Sequence, residues 1–335
     1  MKTNRTVLLL TLTLTAALYA TPAAAAPAAA ELRAKAIEVL KPLPDKAPGA
    51  EKDTPELVTL GKQLYFEKRL SSNNSQACNS CHRVEKGRAG VDNEATSLGA
   101  FGKRGGRSAP TTLNASFHFA QFWDGRAPDL AAQAKGPILN PIEMAMPDEQ
   151  AVIKKLSDIA AYQTGFKRAF PREASPITYD NLARAIAAFE RTLITHDRFD
   201  DFLKGDDHAL TRDEKHGLKL FLETGCTTCH NGPVIGGTSF QKFGLVNPVE
   251  GLKDIGREEV SKDAGDRHKF KVPSLRNIAL TYPYLHDGSS PTLEDTVRTM
   301  GWVQIGKKLT EDEIKSLVAF LKTLSDKDRV AVTIK

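Results

Sequence analysis

The four cysteines of this 335-residue chain occur in two places only, Cys78-Asn79-Ser80-Cys81-His82 and Cys226-Thr227-Thr228-Cys229-His230. Each is a C-x-x-C-H, the attachment signature of a c-type haem: two thiols one helical turn apart reach both vinyl groups, and the adjacent histidine turns its imidazole onto the iron. A single copy also suits a redox dithiol or half of a zinc site. Two complete copies that use every cysteine point instead to two covalent haems. The copies stand 148 residues apart, so the chain must provide two separate haem environments.

A helical pattern precedes each motif. Thr54-Pro55-Glu56 reads as a helix start, with Leu57, Leu60 and Leu64 on one face. Thr211-Arg212-Asp213-Glu214 reads as a capping box opening a helix whose apolar positions are Leu218, Phe221 and Leu222. The chain thus repeats internally as helix, then haem motif. Residues 181–195 carry a stripe of Leu182, Ile186, Phe189 and Leu193, and 310–325 one of Ile314, Leu317, Leu321 and Leu324. No long run alternates as a strand does, and the Gly- and Pro-rich stretches at 99–110, 231–237 and 244–256 read as loops around the haems. The expectation is an all-α fold with long loops. The length suits two domains, and 41% hydrophobic residues suffice for two cores. The joint is expected at about 193–210, where polar RFDDFLKGDDH precedes the second repeat, giving domains at 27–195 and 196–335.

Residues 1–26 have a basic start, an apolar run from Val7 to about Ala20 and a small-residue tail, the signature of an export signal. The run is too short for a convincing membrane span. A periplasmic, oxidising location follows as the expectation. The net charge of +5, partly from Lys2 and Arg5, gives nucleic-acid binding no support.

Each iron held by a histidine has a second axial face. Met300, in TVRTMGW, is the one methionine after the second motif. Opposite His230 its thioether would favour ferrous haem and raise the potential, although a helical methionine also serves as core filler. For the first haem, TSLGAFG at 96–102 holds no firm ligand. His118 and Lys103 are the nearby alternatives, readable equally as a buried imidazole and a solvated charge.

The stretches FWDGRAPDLAAQAKGPILNPIEM and FKVPSLRNIALTYPYLHDGSSPTLEDTVRTMGW make the chain resemble the bacterial di-haem cytochrome c peroxidase family from about residue 54 to 325. The resemblance implies two cytochrome c-like helical domains, a low-potential peroxidatic haem in the first and a high-potential haem in the second. It implies that Trp123 matches the tryptophan between the haems, that Gln133 and Glu143 match the peroxide-pocket pair, and that Met300 is the axial methionine of the electron-entry haem. A fixed carboxylate such as Glu143 is the group that moves a proton between peroxide oxygens. Gln133 orients the substrate, and Trp123 offers a polarisable ring for electron passage.

Two positions depart from the family pattern. Ala100 stands where the family usually has a histidine that caps the peroxidatic iron until reduction of the other haem releases it. A methyl group cannot ligate. Ser108 stands where an asparagine commonly ligates an inter-haem calcium. The remaining calcium ligands of the family, backbone carbonyls, fall on Thr281 and Pro283. His286, Arg107 and Arg276 fall in family-like loops, where propionate contacts and ordinary structural hydrogen bonds are both readings. The expected activity is periplasmic reduction of hydrogen peroxide by electrons from a small mono-haem cytochrome c or a cupredoxin, without reductive activation; the resemblance also implies the homodimer common in the family. The alternatives are a di-haem oxidase acting on residues of a partner protein and a non-catalytic electron-transfer cytochrome. Such oxidases typically have tyrosine at the position of Met300, and an electron carrier needs no acid–base pair beside an open iron.

Overall fold

The computed structural model describes residues 25–333. The export signal expected at 1–26 lies outside the described residues, apart from the start of the Ala25–Leu40 helix. No described helix is long and apolar enough to cross a membrane. Among the described residues the regular structure is almost entirely helical, joined by long loops around two main hydrophobic cores. The strands described are one short antiparallel pair, Phe240–Lys242 with Lys269–Lys271.

In the first unit the Thr54 hydroxyl caps the Pro55–Tyr65 helix, accepting from the Leu57 amide at 3.2 Å. Leu57, Leu60, Leu64 and Tyr65 are buried against the Tyr179–Glu190 helix. The two helices cross at Gly61, where an added Cβ would lie 1.8 Å from the Ala185 carbonyl oxygen and 3.0 Å from Phe189 Cβ. Only a missing side chain allows so close an approach.

The second unit repeats this construction. The capping box is present, with Glu214 N bonded to Thr211 Oγ1 at 3.2 Å and Thr211 N to Glu214 Oε2 at 2.8 Å. The Arg212–Glu223 helix that it opens crosses the Glu311–Lys322 helix at Gly217, whose Cβ would lie 1.9 Å from the Ser316 carbonyl oxygen and 2.9 Å from Phe320 Cβ. The crossing helices carry matching words, AAFERTL at 187–193 and VAFLKTL at 318–324.

The loops after each motif repeat as well. PTTLN at 110–114 matches PSLRN at 273–277, and FWDG at 122–125 matches LHDG at 285–288. Asn114 and Asn277 are both fully buried, left-handed (φ 60° and 64°), and followed by a 3-10 turn. Their side chains meet at the joint between units. Asn114 exchanges hydrogen bonds with Thr195, and Asn277 Nδ2 reaches the Thr195 hydroxyl at 3.4 Å.

The joint expected at about 193–210 is packed structure: Phe199, Phe202 and Leu203 of the Arg198–Leu203 helix belong to the second core. Its acidic residues Asp197 and Asp200 are buried as partners of Arg276, at 2.5 and 2.9 Å. The Ala25–Leu40 helix also joins the second core, through Ala29, Ala36 and Leu40, and Leu43 N bonds to Asp200 Oδ1. By packing, the chain before about residue 43 therefore belongs with the later unit and not with the 27–195 span.

Candidate active site

Both C-x-x-C-H motifs form tight turns that present the histidine. His82 N bonds to Cys78 O and His230 N to Cys226 O, each at 2.9 Å. No two of the four cysteines are joined in a disulfide. His82 Nδ1 lies 3.0 Å from the Pro110 carbonyl. His230 Nδ1 lies 3.3 Å from the Ile235 carbonyl, and the Pro273 carbonyl, the counterpart of Pro110, is its other backbone contact. Donating Nδ1–H to a carbonyl fixes the ring and leaves Nε2 as the ligating nitrogen. Burial keeps both rings neutral, lowering the pKa of His82 and taking that of His230 down to about 4.

A largely apolar cavity of about 480 Å³ is lined by Cys226, Cys229, His230, Met300, Trp123 and Lys271, among others. A second cavity, about 520 Å³ and more polar, is lined by Cys81, Asp92, Leu98 and Arg104. Paired thiols, a buried neutral imidazole with Nδ1 engaged, and an apolar cavity shared by His230 and Met300 fit a covalently attached haem. Met300 ends the Leu293–Met300 helix and lines the same cavity as His230.

Of the two residues expected in the peroxide pocket, Gln133 lies on the Leu130–Leu139 helix and Glu143 just beyond its end. Asp129 caps this helix, and Gln133 stands in its first turns. After Pro137 the chain turns, and the half-buried Glu143 accepts from Asn140 Nδ2 at 2.7 Å. Burial raises the Glu143 pKa against the opposing pull of Arg126 and the Asn140 hydrogen bond. Ala100 is pinned to this residue: its amide donates to the Glu143 carbonyl at 2.7 Å, and its carbonyl accepts from Asn73 Nδ2. Gly99 makes the contact possible, since a Cβ there would sit 1.7 Å from the Ile142 carbonyl oxygen. TSLGAFG is thus a tight turn docked on the Glu143 segment, with Phe101 and Lys103 exposed. His118 lies in the apolar cavity with His230, its Nδ1 2.8 Å from Lys271 Nζ.

Trp123 donates Nε1–H to the Ser108 carbonyl at 2.9 Å, and its ring meets His286 edge-on, centroids 6.4 Å apart. Ser108 N in turn bonds to His286 O at 2.7 Å, so Ser108 ties together the two repeat-related aromatic residues. Thr281 and Pro283 line the same cavity, while Asn93 Nδ2 donates to the neighbouring carbonyls of Leu280 and Tyr282. Arg107 pairs with Asp124, Asp254 and Glu259, and Arg276 with Asp197 and Asp200. Both arginines are therefore committed to structural ion pairs. His286 stacks on Phe270 at 4.2 Å. Three features escaped the sequence reading: the Lys271–His118 pair, the buried Glu190, and the two crossing glycines. The AF-x-x-TL repeat was the available signal for the last two.

With this geometry in hand, the comparisons are consistent. The sequence pattern described as di-haem cytochrome c peroxidase matches residues 55–208, and that of cytochrome c matches 214–325. The cytochrome c551 peroxidase of Nitrosomonas europaea is 48% identical, over 81% of this chain and 81% of that protein. The cytochrome c551 peroxidase of Pseudomonas aeruginosa is 44% identical, over 92% and 90%. Among solved structures, a MauG-like protein associated with microbial copper homeostasis superposes with a TM-score of 0.76 at 29% identity, covering 87% of this chain and 95% of that one. The chain belongs to the di-haem cytochrome c peroxidase family. Its class is accordingly that of a haem-dependent oxidoreductase with two haems, one for each unit.

Proposed function

We propose that this protein is a periplasmic peroxidase that converts hydrogen peroxide, two protons and two electrons to two waters, drawing the electrons from a small cytochrome c or cupredoxin. Cys78, Cys81 and His82 hold the peroxidatic haem; Cys226, Cys229, His230 and Met300 hold the electron-entry haem. When bound, the haems supply the redox chemistry that breaks the O–O bond, and a thioether ligand raises the potential of the one it serves. The remaining work falls to this chain's own side chains. Glu143, with its pKa raised by burial and its Oε1 held by Asn140, keeps and returns the proton that must move between peroxide oxygens. Gln133 orients the substrate by hydrogen bonding. Trp123, fixed through Ser108 and in edge contact with His286, occupies the path between the units. A calcium ion near Ser108, Thr281 and Pro283 belongs to this reading as a structural accessory, to be tested by metal analysis.

The observation that carries the reading is the bond from Ala100 N to Glu143 O. It supports a first site in which the position of the capping side chain adjoins the acid–base residue and holds only a methyl group. Peroxide would then enter without reductive activation. Electron paramagnetic resonance of the fully ferric protein tests this directly: one high-spin and one low-spin signal are expected, together with donor oxidation by enzyme never pre-reduced. Two purely low-spin signals would overturn the open-site reading, and donor oxidation no faster than with free haem would overturn the peroxidase. The partner-protein oxidase is the rival that the missing histidine also suits. Met300, where such oxidases typically have tyrosine, favours the peroxidase.

A further inference from the structure

Lys271 is 5% exposed, and no carboxylate pairs with it among the described residues. Its ammonium meets His118 Nδ1 at 2.8 Å, which uses one of its three donors. When Nδ1 accepts from lysine, the His118 proton is on Nε2, and that nitrogen is buried without a hydrogen-bond partner. Both side chains line the 480 Å³ cavity beside His230. A buried cation and a buried N–H left unpaired are each costly, so together they describe a site waiting for an acceptor.

The surroundings hold this pair in place. Lys271 ends the second short strand, facing Phe240 in register, and its amide donates to the Trp123 carbonyl at 2.7 Å. His118 rests on Gly237 (φ 69°), where a Cβ would lie 2.5 Å from the ring's Cδ2, and Phe119 N bonds to Gly237 O at 3.0 Å. One residue comes from each unit, so the site exists only where the units meet.

We infer that Lys271 and His118 form a carboxylate-binding clamp, and that its ligand is a propionate of the haem attached at Cys226 and Cys229. The inference rests on the proposed reading of that motif. The acceptor must be an anion with oxygen donors, because two ammonium hydrogens and an imidazole N–H converge. Within an otherwise apolar cavity flanked by His230 and Met300, the carboxylate of a seated haem meets that requirement. Burial alone takes the Lys271 pKa down to about 7, and a carboxylate partner would keep it charged. The clamp then places one fixed positive charge next to the electron-entry haem while tying that haem's edge to the backbone of Trp123.

Redox titration of the two haems, with resonance Raman spectra of the propionate bending band, tests this on the holoenzyme. Mass spectrometry of the peptide containing Cys226 and Cys229 first reports haem attachment. In K271M the midpoint potential of the Met300-ligated haem should fall, because loss of a nearby positive charge favours the ferric state, and its propionate band should move. K271R should restore both. H118F should move the band with a smaller fall in potential, which keeps the test open if K271M folds poorly. Attached haem with neither quantity changed in K271M and H118F would overturn the clamp, as would a shift confined to the other haem. Absence of haem at Cys226 and Cys229 in the wild type would instead overturn the underlying assignment.

Discussion

The two units are built on one plan and differ, among other buried positions, at two on their crossing helices. Tyr65, four residues after Gly61, corresponds to Phe221, four after Gly217. Glu190, next to Phe189, corresponds to Leu321, next to Phe320. In the second unit both positions are apolar members of the core. In the first, the Tyr65 hydroxyl donates to the His82 carbonyl at 2.7 Å and lies 3.1 Å from Thr112 Oγ1. Glu190 is 4% exposed, with Oε2 unpartnered. A fold that tolerates Phe and Leu has no packing need for a phenol and a carboxyl. The polar pair thus distinguishes the unit proposed to handle protons from the unit proposed to pass only electrons.

What the units share should break most violently. G61A and G217A each drive a methyl group into a backbone carbonyl of the crossing helix, at 1.8 and 1.9 Å. Each should cost roughly 3 kcal/mol or more, with folded protein lost from expression cultures. Denaturant unfolding of both variants checks the comparison. If one tolerates alanine, the two crossings are not equivalent.

The helix starts before each crossing were legible because capping is local: Thr54-Pro55 and Thr211-x-x-Glu214 sit in the segments they begin. The crossings were not, since Gly61 and Gly217 read in isolation as weak points in a helical pattern. RFDDFLKGDDH at 198–208 reads as polar, and nothing local marks its Asp200 or the preceding Asp197 as buried. Their partner, Arg276, stands more than seventy residues downstream, beyond the reach of any local pattern. The Ala25–Leu40 helix was assigned by sequence order, whereas it packs by surface. At the site, the haem motifs were legible from cysteine spacing. Gln133, Glu143 and Trp123 are proposed through family resemblance alone, because a carboxylate in a short loop has no chemical mark of its own.

The next largest difference is kinetic. E143Q keeps the Asn140 hydrogen bond but cannot shuttle a proton, so peroxide turnover should fall by roughly 10²- to 10⁴-fold. Reduction by donor of the haem proposed at His230 and Met300 should stay as it is. Stopped-flow measurement of both steps separates the two units' roles. A100H should also act on the first unit alone: its imidazole would project beside Glu143, converting the high-spin ferric signal to low-spin and making turnover depend on prior reduction.

The smallest effect concerns stability and changes sign against intuition. Burial takes the Glu190 pKa up to about 8, above its ordinary value of about 4.3. Folding therefore takes up a proton between those values, and the wild type loses stability as pH rises through that window. Below it the carboxyl is protonated in both states and the penalty vanishes. E190Q, which has no charge to bury, should match the wild type near pH 4 and become increasingly more stable than it as the pH rises toward 8. Thermal unfolding of the holoenzyme across that range measures the gap. L321E should install the same penalty in the second unit, where no polar counterpart of Tyr65 exists. Equal behaviour at both positions would make Glu190 a tolerated defect of a duplicated core. A gap at Leu321 well above that at Glu190 would mean that the first unit has been shaped around its carboxyl.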